Sequence, residues 1–265
     1  MPFGRHAAVG LTLAALVAAA PGRSEPAAAG ERALATVRQL ARERVAGSAG
    51  ELATARAVAA RFRALGYRVV EQRFALPRGG TSRNVVALTP GRARVVIGAH
   101  MDGVAGSVAA NDNASGVAVV LELARALAGR DGVSFAAIGA EERAETGSPI
   151  HLGAQRLARG LSPAGKRLVV VLDMVGVGTR LHVRGIERRP NASAALLLRD
   201  GGSYLRDPGH SDHAELTRAG IPAAWVQWRE DACWHSPCDR PARIDARRLQ
   251  RAYELVLRAS EAALR

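Results

Sequence analysis

Five residues scattered along this sequence are of the types that bind zinc. They comprise two histidines and three carboxylates, namely His100, Asp112, Glu142, Asp173 and His235. Each stands at the end of an apolar, strand-like segment or in the loop after one, and in an open α/β sheet such positions meet at one edge. One histidine and one carboxylate for each ion, with a third carboxylate between the ions, is a ligand set for two Zn²⁺. The sequence therefore predicts a hydrolase with a two-zinc centre.

The first histidine closes an apolar run, and an acid follows it two residues later. We expect His100 to bind zinc through one ring nitrogen and Asp102 to accept a hydrogen bond from the other, which would set the tautomer and raise the basicity of the ligand. A single histidine at a strand end is more often structural. The His-x-Asp pairing favours the functional interpretation and makes Asp102 a candidate catalytic residue.

The remaining carboxylates suggest separate roles. Asp112 comes just before an apolar, helix-like segment and is placed to bridge two ions, although an Asp there also suits a turn or a helix cap. Glu141 and Glu142 follow another strand-like run. We interpret Glu142 as a metal ligand and Glu141 as the general base, which later protonates the leaving amine. A solvated acidic loop is the alternative for this pair.

The last ligand candidates lie in the second half of the chain. Asp173 ends the most apolar run, where an unpaired carboxylate would be costly, so metal binding or a buried ion pair is expected. His235 directly follows Trp234, whose indole N–H could bind an oxyanion or whose ring could simply form an apolar wall. Cys233 and Cys238 are close enough in sequence to form a disulfide that stiffens this loop, with two free thiols as the alternative.

A further polar cluster resembles part of a serine hydrolase only superficially. Ser211-Asp212-His213 lacks the Gly-x-Ser-x-Gly elbow that would present a nucleophile, and no such elbow occurs in the chain. We interpret the cluster as a helix cap that borders the pocket. Four other histidines have no comparable context: His6, His151, His182 and His210.

Composition limits the class of protein. The chain has 265 residues, of which 48% are hydrophobic, enough for one sizeable core. Its net charge of +13 comes from 37 Lys and Arg against 24 Asp and Glu. Because the arginines are spread along the chain without aromatic interleaving, we do not predict a nucleic-acid partner.

Apolar runs of strand and helix length alternate along the chain, which predicts an α/β class with a mixed, mostly parallel sheet. The predicted helices cover residues 31–45, 51–65, 115–128 and 245–264. The predicted strands cover residues 67–74, 83–88, 94–99, 133–139, 168–172, 181–184 and 223–227.

The N-terminus has the features of a secretory signal. A short basic start precedes the uncharged stretch 7–20, and small residues follow that suit cleavage. We predict a signal peptide and disordered N-terminus over residues 1–29 and a zinc peptidase domain over residues 30–265. The protein is then secreted or periplasmic, without a stable membrane anchor, because the apolar stretch is too short to span a bilayer comfortably. An uncleaved anchor is the alternative.

Together these segments resemble the co-catalytic zinc aminopeptidases of the bacterial leucyl aminopeptidase and aminopeptidase Y family, which is related to the glutaminyl cyclases. The resemblance covers most of residues 31–258. It rests on Gly98-Ala99-His100-Met101-Asp102, Ala110-Asn111-Asp112-Asn113-Ala114-Ser115-Gly116, Gly139-Ala140-Glu141-Glu142, Leu172-Asp173-Met174, Ser211-Asp212-His213 and Cys233-Trp234-His235.

The resemblance implies a single three-layer α/β/α domain, usually with eight strands. It implies that Asp112 bridges two Zn²⁺ ions and that Glu141 is the acid/base. The terminal ligands that it implies are His100, Glu142, Asp173 and His235. It also implies a disulfide beside the last histidine, as in some secreted members. Trp234 departs from the family, because many members have Tyr before that histidine.

The expected function is that of an exported, monomeric aminopeptidase acting on peptides with a free N-terminus through a zinc-bridging hydroxide. A dipeptidase and a glutaminyl cyclase-like aminoacyltransferase are the alternatives from the same fold. The cyclases use one zinc, so the presence of both histidines and all three carboxylates disfavours that alternative. A non-catalytic binding module is disfavoured because neither the ligands nor the base is missing.

Overall fold

The computed structural model describes residue 1 and residues 28–265 and contains one eight-stranded sheet. The strands are β1 (Arg68–Ala75), β2 (Thr81–Leu88), β3 (Val95–His100), β4 (Val133–Ile138), β5 (Leu168–Leu172), β6 (Arg180–Gly185), β7 (Ser203–Arg206) and β8 (Ala223–Arg229). Their order across the sheet is β1-β2-β4-β3-β5-β8-β6-β7. The eight strands match the number implied by the family resemblance.

The centre of the sheet is parallel and its flanks are mixed. Strands β4, β3, β5 and β8 pair in parallel, as do β6 and β7. Three pairs are antiparallel, namely β1 with β2, β2 with β4 and β6 with β8. Every residue of β3, β4 and β5 is buried, as their continuous apolar sequences predict for central parallel strands. The predicted mixed, mostly parallel sheet is confirmed.

Helices cover both faces of the sheet. They are α1 (Ala29–Leu40), α2 (Ala49–Ala64), α3 (Gly116–Ala126), α4 (Arg143–Thr146), α5 (Leu152–Arg159), α6 (Ala192–Leu198), α7 (His213–Arg218) and α8 (Ala246–Leu264). An irregular segment, Ala110–Ser115, precedes α3. The sequence analysis predicted α1, α2, α3 and α8 but did not delimit the shorter helices or the edge strand β7.

Alternating side chains along the central strands form two cores. Val95 and Ile97 of β3 and Val170 of β5 pack in the larger core, together with α1, α2, α3, α6 and α8. Val96 and Val171 point the other way and pack with α5 and α7. Since neighbouring residues of a strand face opposite sides, two helical layers enclose the sheet. The predicted three-layer, single-domain architecture is confirmed.

The first helix ends earlier than predicted. The sequence predicts a helix over residues 31–45, but α1 stops at Leu40 and the chain becomes extended at Ala41. The guanidinium of Arg44 turns back and donates a hydrogen bond from Nη1 to the carbonyl oxygen of Leu40 at 3.1 Å. A side chain from beyond the helix thus satisfies a carbonyl group that further helical turns would otherwise have used.

The start of α3 is held by the side chain of Asn113. Asn113 Oδ1 accepts a hydrogen bond from the Gly116 amide at 2.8 Å. The Ser115 hydroxyl instead donates to the carbonyl oxygen of Asn111 at 2.6 Å. The segment before α3 is therefore held by its own polar side chains.

The predicted signal peptide falls almost entirely on residues 2–27, which lie outside the described residues. Helix α1 begins at Ala29, within one residue of the predicted start of the folded domain. Between residues 28 and 265, no helix has both the length and the apolar character needed to cross a bilayer.

Candidate metal centre

The five predicted ligands meet at the carboxyl edge of the parallel strands. His100 is the last residue of β3, and Asp173 directly follows β5. Glu142 comes shortly after β4, and His235 lies in the loop after β8. Asp112 belongs to the irregular segment between β3 and α3. The sheet therefore brings together side chains that are up to 135 positions apart in the sequence (100 to 235).

The ligand atoms form two groups that share Asp112. In the first, which we call the His100 half, His100 Nε2 lies 3.1 Å from Asp112 Oδ1 and 3.3 Å from Asp173 Oδ1. In the second, the His235 half, His235 Nε2 lies 3.2 Å from Asp112 Oδ2 and 3.1 Å from Glu142 Oε2. Each histidine thus faces a different oxygen of one carboxylate and has a second carboxylate of its own.

The spacing of these atoms fits zinc. Ligand atoms at about 2.0–2.2 Å from a tetrahedral zinc ion lie about 3.3–3.6 Å from one another. The four distances of 3.1–3.3 Å are close to that range. One ligand atom from each of His100, Asp112 and Glu142 also lies within 4.8 Å of the others. Imidazole and carboxylate groups are a donor set that suits Zn²⁺, so these residues could hold the metal.

The charged groups of the site shift one another's pKa values. Burial, followed by the charge of Asp112, raises the pKa of Glu142 to about 7. Burial alone would lower the pKa of His235, but its hydrogen bonds to Asp112 and Glu142 raise it to about 10. Burial alone would lower the pKa of His100, but the charges of Asp173 and Glu141 and the contacts with Asp102 and Asp112 together raise it well above its ordinary value. The carboxylates thus create a negative potential that favours cations.

Asp102 supports the site in a different way from the predicted one. His100 Nδ1 lies 3.7 Å from Asp102 Oδ1, which is longer than a hydrogen bond. The two carboxylate oxygens of Asp102 instead accept the backbone amides of Glu141 and Glu142, each at 3.1 Å. The predicted hydrogen bond to the imidazole is therefore replaced by a longer electrostatic contact, and Asp102 mainly positions the turn that carries the two glutamates.

Asp239 has the same arrangement on the other side of the site. It is buried, and its Oδ1 and Oδ2 accept the amides of Asn111 at 2.7 Å and Asp112 at 3.0 Å. It therefore connects the loop that carries His235 to the segment that carries the shared ligand. The sequence analysis missed Asp239, whose only signal was its position directly after Cys238.

Arg44 is a second residue that the sequence analysis missed. It is buried, and its Nε donates to the carbonyl oxygen of Met101 at 2.8 Å while Nη2 donates to that of Ala109 at 2.9 Å. Met101 directly follows His100, and Ala109 precedes the segment with Asp112. Burial lowers the pKa of Arg44 to about 10, so the side chain stays cationic at neutral pH. Arg44 thus joins the backbones beside two of the ligands.

Left-handed backbone conformations cluster around the site. Non-glycine residues with positive φ include Ala109 (50°), Ala140 (55°), Met174 (57°) and His235 (53°). Ala140 adjoins Glu141 and Met174 adjoins Asp173, both of them candidate functional carboxylates, and His235 is itself a candidate ligand. Such conformations cost about 1 kcal/mol or more apiece and persist only where the surrounding structure enforces them. At these turns they direct side chains from the strand ends toward the centre.

The loop of His235 contains the predicted disulfide. Cys233 and Cys238 are bonded, with Cα atoms 5.4 Å apart. Trp234 is 58% exposed, and its ring centroid lies 4.2 Å from that of His235. The indole forms part of the cavity wall. Its N–H forms no hydrogen bond with any of residues 28–265. Its position fits the predicted contact with a substrate, as wall or as donor.

Glu141 is buried beside a histidine that the sequence analysis set aside. His151 Nδ1 lies 3.1 Å from Glu141 Oε1, and His151 Nε2 lies 3.3 Å from the carbonyl oxygen of Gly209. Burial raises the pKa of Glu141 well above its ordinary value, and the charge of Glu142 contributes to the rise. His151 lies directly before α5 in a loop whose sequence carries no motif, so only the fold reveals this contact.

The Ser211-Asp212-His213 cluster lies against the site. The Ser211 hydroxyl donates to Asp173 Oδ2 at 2.8 Å, which holds the second oxygen of that carboxylate. Asp212 directly precedes α7, as predicted for a cap, but its side chain makes no capping hydrogen bond. Its carboxylate is buried and has no hydrogen-bond partner in residues 28–265. The cluster therefore supports a ligand more clearly than it caps a helix.

A cavity of about 670 Å³ opens over the centre. One end is lined by Asp112, Glu141, Glu142, Asp173 and His235. The other end is lined by side chains from β6, β8 and the loop before α7, namely Arg184, His210, Trp225, Gln227 and Trp228. The space is large enough for a small organic ligand that contacts both ends.

Solved structures share the fold over nearly the whole chain. BSAP, a zinc aminopeptidase from Bacillus subtilis, superposes with a TM-score of 0.81, covering 91% of this chain and 96% of that chain at 20% identity. A glutaminyl cyclase from Bacteroides thetaiotaomicron, bound to N-acetylhistamine, superposes with a TM-score of 0.72, covering 87% of this chain and 96% of that chain at 20% identity. At these identities the similarity establishes the architecture alone.

Sequence comparisons point to one family. Aminopeptidase YwaD of Bacillus subtilis (strain 168) is 33% identical over 187 residues, which cover 62% of this chain and 40% of the relative. Leupeptin-inactivating enzyme 1 of Streptomyces exfoliatus is 30% identical over 247 residues, which cover 80% of this chain and 55% of the relative. The chain therefore spans about half the length of these curated relatives.

The profile of Peptidase family M28 matches residues 84–260, which is more than half of the chain and contains all five candidate ligands. Both the motifs and the eight-stranded fold agree with that match. The chain belongs to peptidase family M28.

Proposed function

We propose that this protein is an exported, zinc-dependent aminopeptidase that removes the N-terminal residue of peptides. The observation that carries the proposal is the position of Asp112, whose two oxygens face two histidines at 3.1 and 3.2 Å. Each histidine has its own second carboxylate, so the site has the ligands for two ions rather than one. Membership of a peptidase family supports hydrolysis of a peptide bond.

Two Zn²⁺ ions would be held in the two halves of the site. His100, Asp173 and Asp112 would hold one ion, and His235, Glu142 and Asp112 would hold the other. When bound, the ions polarise the scissile carbonyl group and lower the pKa of water at the site. Ser211 and Asp102 keep the carboxylate groups and the glutamate turn in place through the hydrogen bonds described above.

The acidic character of the site accounts for selection of a free N-terminus. The carboxylates of Asp112, Glu142 and Asp173 line the cavity within a largely buried region. A protonated or metal-facing α-amine is compatible with this negative potential, whereas an acylated nitrogen has neither the charge nor a free lone pair. Peptides with a free α-amine are therefore the expected substrates.

Glu141 is the proposed acid/base. Its carboxylate would take a proton from the attacking water and then deliver it to the nitrogen of the leaving amine. Nδ1 of His151 lies 3.0 Å from the carbonyl oxygen of Glu141 and 3.1 Å from its Oε1, so the imidazole holds the backbone of Glu141 and lies beside its carboxylate.

Export is part of the proposal. A disulfide between Cys233 and Cys238 is typical of proteins in an oxidising compartment. The basic and then apolar character of the N-terminal sequence is consistent with a signal over residues 1–29 and a peptidase domain from residue 30. Cell fractionation of the full-length chain, with N-terminal sequencing of the extracytoplasmic form, tests both parts.

The test of activity uses a panel of aminoacyl p-nitroanilides with different side chains, each beside its N-acetylated form. We expect cleavage of free-amine substrates only, loss of cleavage with chelator and recovery with zinc. Glu141→Gln should retain zinc but lose about 10²–10⁴ in kcat. No cleavage of any anilide by the folded, zinc-loaded protein, or normal turnover by the Glu141→Gln variant, would contradict the proposal.

Metal stoichiometry separates the two activities found on this fold. Two zinc ions per chain, measured by elemental analysis after dialysis, support the aminopeptidase. One zinc ion per chain, together with cyclisation of peptides that begin with glutamine, would favour a glutaminyl cyclase-like transferase instead.

A further inference from the structure

The far end of the cavity contains a buried arginine. Arg184 of β6 is only 9% exposed, and its guanidinium carbon lies 4.0 Å from the centroid of the Trp225 ring. The indole N–H of Trp225 donates to the carbonyl oxygen of Asp173 at 3.1 Å. Trp225 thus contacts the guanidinium through its ring face and the backbone of a candidate zinc ligand through its N–H, and Arg184, Trp225 and Asp173 all line the same cavity.

The guanidinium of Arg184 has N–H groups that form no hydrogen bond with residues 28–265. Arginine carries five N–H groups. Its Nη1 donates to Gln227 Oε1 at 2.6 Å, and its Nη2 donates to Asp207. Its Nε has no hydrogen-bond partner within residues 28–265 but is enclosed by protein, so the donors left for a ligand are the second N–H groups of Nη1 and Nη2. A buried cation with unused donors at the wall of a cavity is suited to an acceptor oxygen that enters the cavity.

Both oxygens of Asp207, the carboxylate that pairs with Arg184, already accept hydrogen bonds from other groups. Asp207 Oδ1 accepts the amides of Gly209 and His210, each at 2.7 Å. Its Oδ2 accepts from His210 Nδ1 at 2.9 Å and from Arg184. Asp207 is completely buried, so a ligand in the cavity meets the arginine rather than this aspartate.

The other acids near this end have partners too. Asp231 Oδ1 accepts from Arg243 Nη1 at 2.8 Å, and Glu230 accepts a hydrogen bond from the Thr179 hydroxyl. Met174 and Trp228 complete the wall with apolar surface. Beside this apolar surface, strands β6 and β8 present to the cavity the guanidinium of Arg184 and the amide of Gln227.

We infer that Arg184 makes this protein selective for peptides whose N-terminal residue has an acidic side chain. The inference rests on the proposed aminopeptidase function and names its substrate class. With the α-amine and scissile carbonyl at the carboxylate end of the cavity, the side-chain carboxylate of an N-terminal Glu or Asp faces Arg184 and Gln227. An apolar side chain would leave the donors of Arg184 unpaired, and sites built to pair polar groups discriminate strongly against such analogues.

The test compares kcat/KM for glutamyl, aspartyl, glutaminyl, leucyl and lysyl anilides. We expect the wild-type protein to prefer the glutamyl or aspartyl substrate over the leucyl substrate by at least about tenfold. Arg184→Met should lower kcat/KM for acidic substrates by roughly 10²-fold and leave the leucyl value unchanged or raised. The matched control is Arg180→Met, which removes an exposed arginine of the same strand that does not line the cavity and should preserve the preference.

A binding measurement keeps the inference testable without turnover. Calorimetric titration of the zinc-loaded protein with L-glutamate and L-leucine should show tighter binding of glutamate, and Arg184→Met should abolish the difference. If Arg184→Met does not fold, Arg184→Lys keeps the charge but loses the planar fork, and it should reduce the preference without reversing it.

Failure of the proposed function and failure of the inference about Arg184 give different results. If no anilide is cleaved, the proposed function fails, and the calorimetric comparison alone decides the role of Arg184. If anilides are cleaved but the leucyl substrate is best and Arg184→Met leaves the ranking intact, the inference about Arg184 is overturned while the aminopeptidase stands. A preference for the glutaminyl substrate over the glutamyl substrate would also overturn the assignment of an acidic side chain.

Discussion

The two halves of the candidate metal centre are built by different means. In the His100 half, the histidine side chain is 1% exposed and terminates a strand in the middle of the sheet. In the His235 half, the histidine side chain is 31% exposed and sits in a loop with a left-handed backbone. The first half is positioned by the core of the sheet, whereas the second depends on a disulfide and on hydrogen bonds within and around one loop.

The contacts that hold the two halves in place differ accordingly. The amide of Asp173 donates to the carbonyl oxygen of Val226 at 3.2 Å, which continues the hydrogen bonding between β5 and β8. The loop after β8 has no such ladder at His235 and relies on its disulfide and on Asp239. Where strand pairing ends, the buried carboxylate of Asp239 accepts two consecutive backbone amides and so holds the segment with Asp112. Asp102 holds the turn with Glu141 and Glu142 in the same way.

The largest expected effect comes from the ligand that both halves share. Asp112→Asn replaces one of the two carboxylate oxygens with an amide nitrogen that cannot bind metal, so at least one half loses its ligand and the other loses negative charge. We expect weaker binding of both zinc ions and a fall in kcat/KM of at least about 10³-fold. Competition with a chromophoric chelator measures the affinities; a variant that keeps both ions tightly would show that Asp112 is not shared.

Asp239→Asn should have the next largest effect. The change places an amide nitrogen opposite one of the two backbone amides that Asp239 now accepts, so the segment with Asp112 shifts. Loss of such an outer support typically lowers metal affinity by about 10–100-fold. Asp200→Asn, which alters a surface ion pair with Arg258, is the control and should leave zinc binding unchanged. Equal zinc affinities in the two variants would show that Asp239 does not support the metal centre.

The double substitution Cys233→Ser and Cys238→Ser tests the loop half alone. The bond closes a loop with a sequence separation of five residues, and the chain-entropy contribution for that length is about 2 kcal/mol. We expect the free energy of unfolding to fall by about that amount and one of the two zinc ions to bind more weakly. Urea unfolding and stepwise zinc removal measure the two effects. Equal weakening of both ions would contradict the separation of the halves.

The smallest effect on the metal centre is expected from Glu51, a buried carboxylate behind the glutamate turn. Burial, followed by the charge of Asp102, raises the pKa of Glu51 from 4.5 to about 7. The folded state therefore favours the protonated form, and the resulting stabilisation is complete below pH 4.5 and is lost as the pH rises through about 7. Glu51→Gln should be more stable than the wild type at pH 8, by about 2 kcal/mol, with a smaller difference at pH 5.

Urea unfolding of both proteins at the two pH values, in chelator, provides the measurement. Zinc affinity at pH 7 should be the same in the two proteins, because Glu51 contacts Ser82 and the Gly47 amide rather than a ligand. A stability difference that does not change with pH would show that Glu51 is ionised in the folded state throughout this range.

Much of the sheet was predictable because its central strands are continuous apolar runs. Such runs identify buried parallel strands, and the polar residue that ends each run is conspicuous, as with His100 and Asp173. The short elements were harder, because β7 at the sheet edge is partly exposed and polar and α7 is only six residues long. Boundaries also moved where distant contacts intervened: Arg44, which binds the carbonyl groups of Met101 and Ala109, also binds that of Leu40 at the end of α1.

The fold class and the residue types of the candidate metal centre, with their places at strand ends, could be predicted from the amino-acid order, because hydrophobic periodicity and local motifs are properties of neighbouring residues. The groups that hold those residues in place became visible only in the folded chain. Asp239 binds the Asp112 amide across 127 positions, and Arg44 binds the Met101 carbonyl across 57. The physical reason is that a buried polar group must find a partner wherever packing provides one, and no local pattern records that choice.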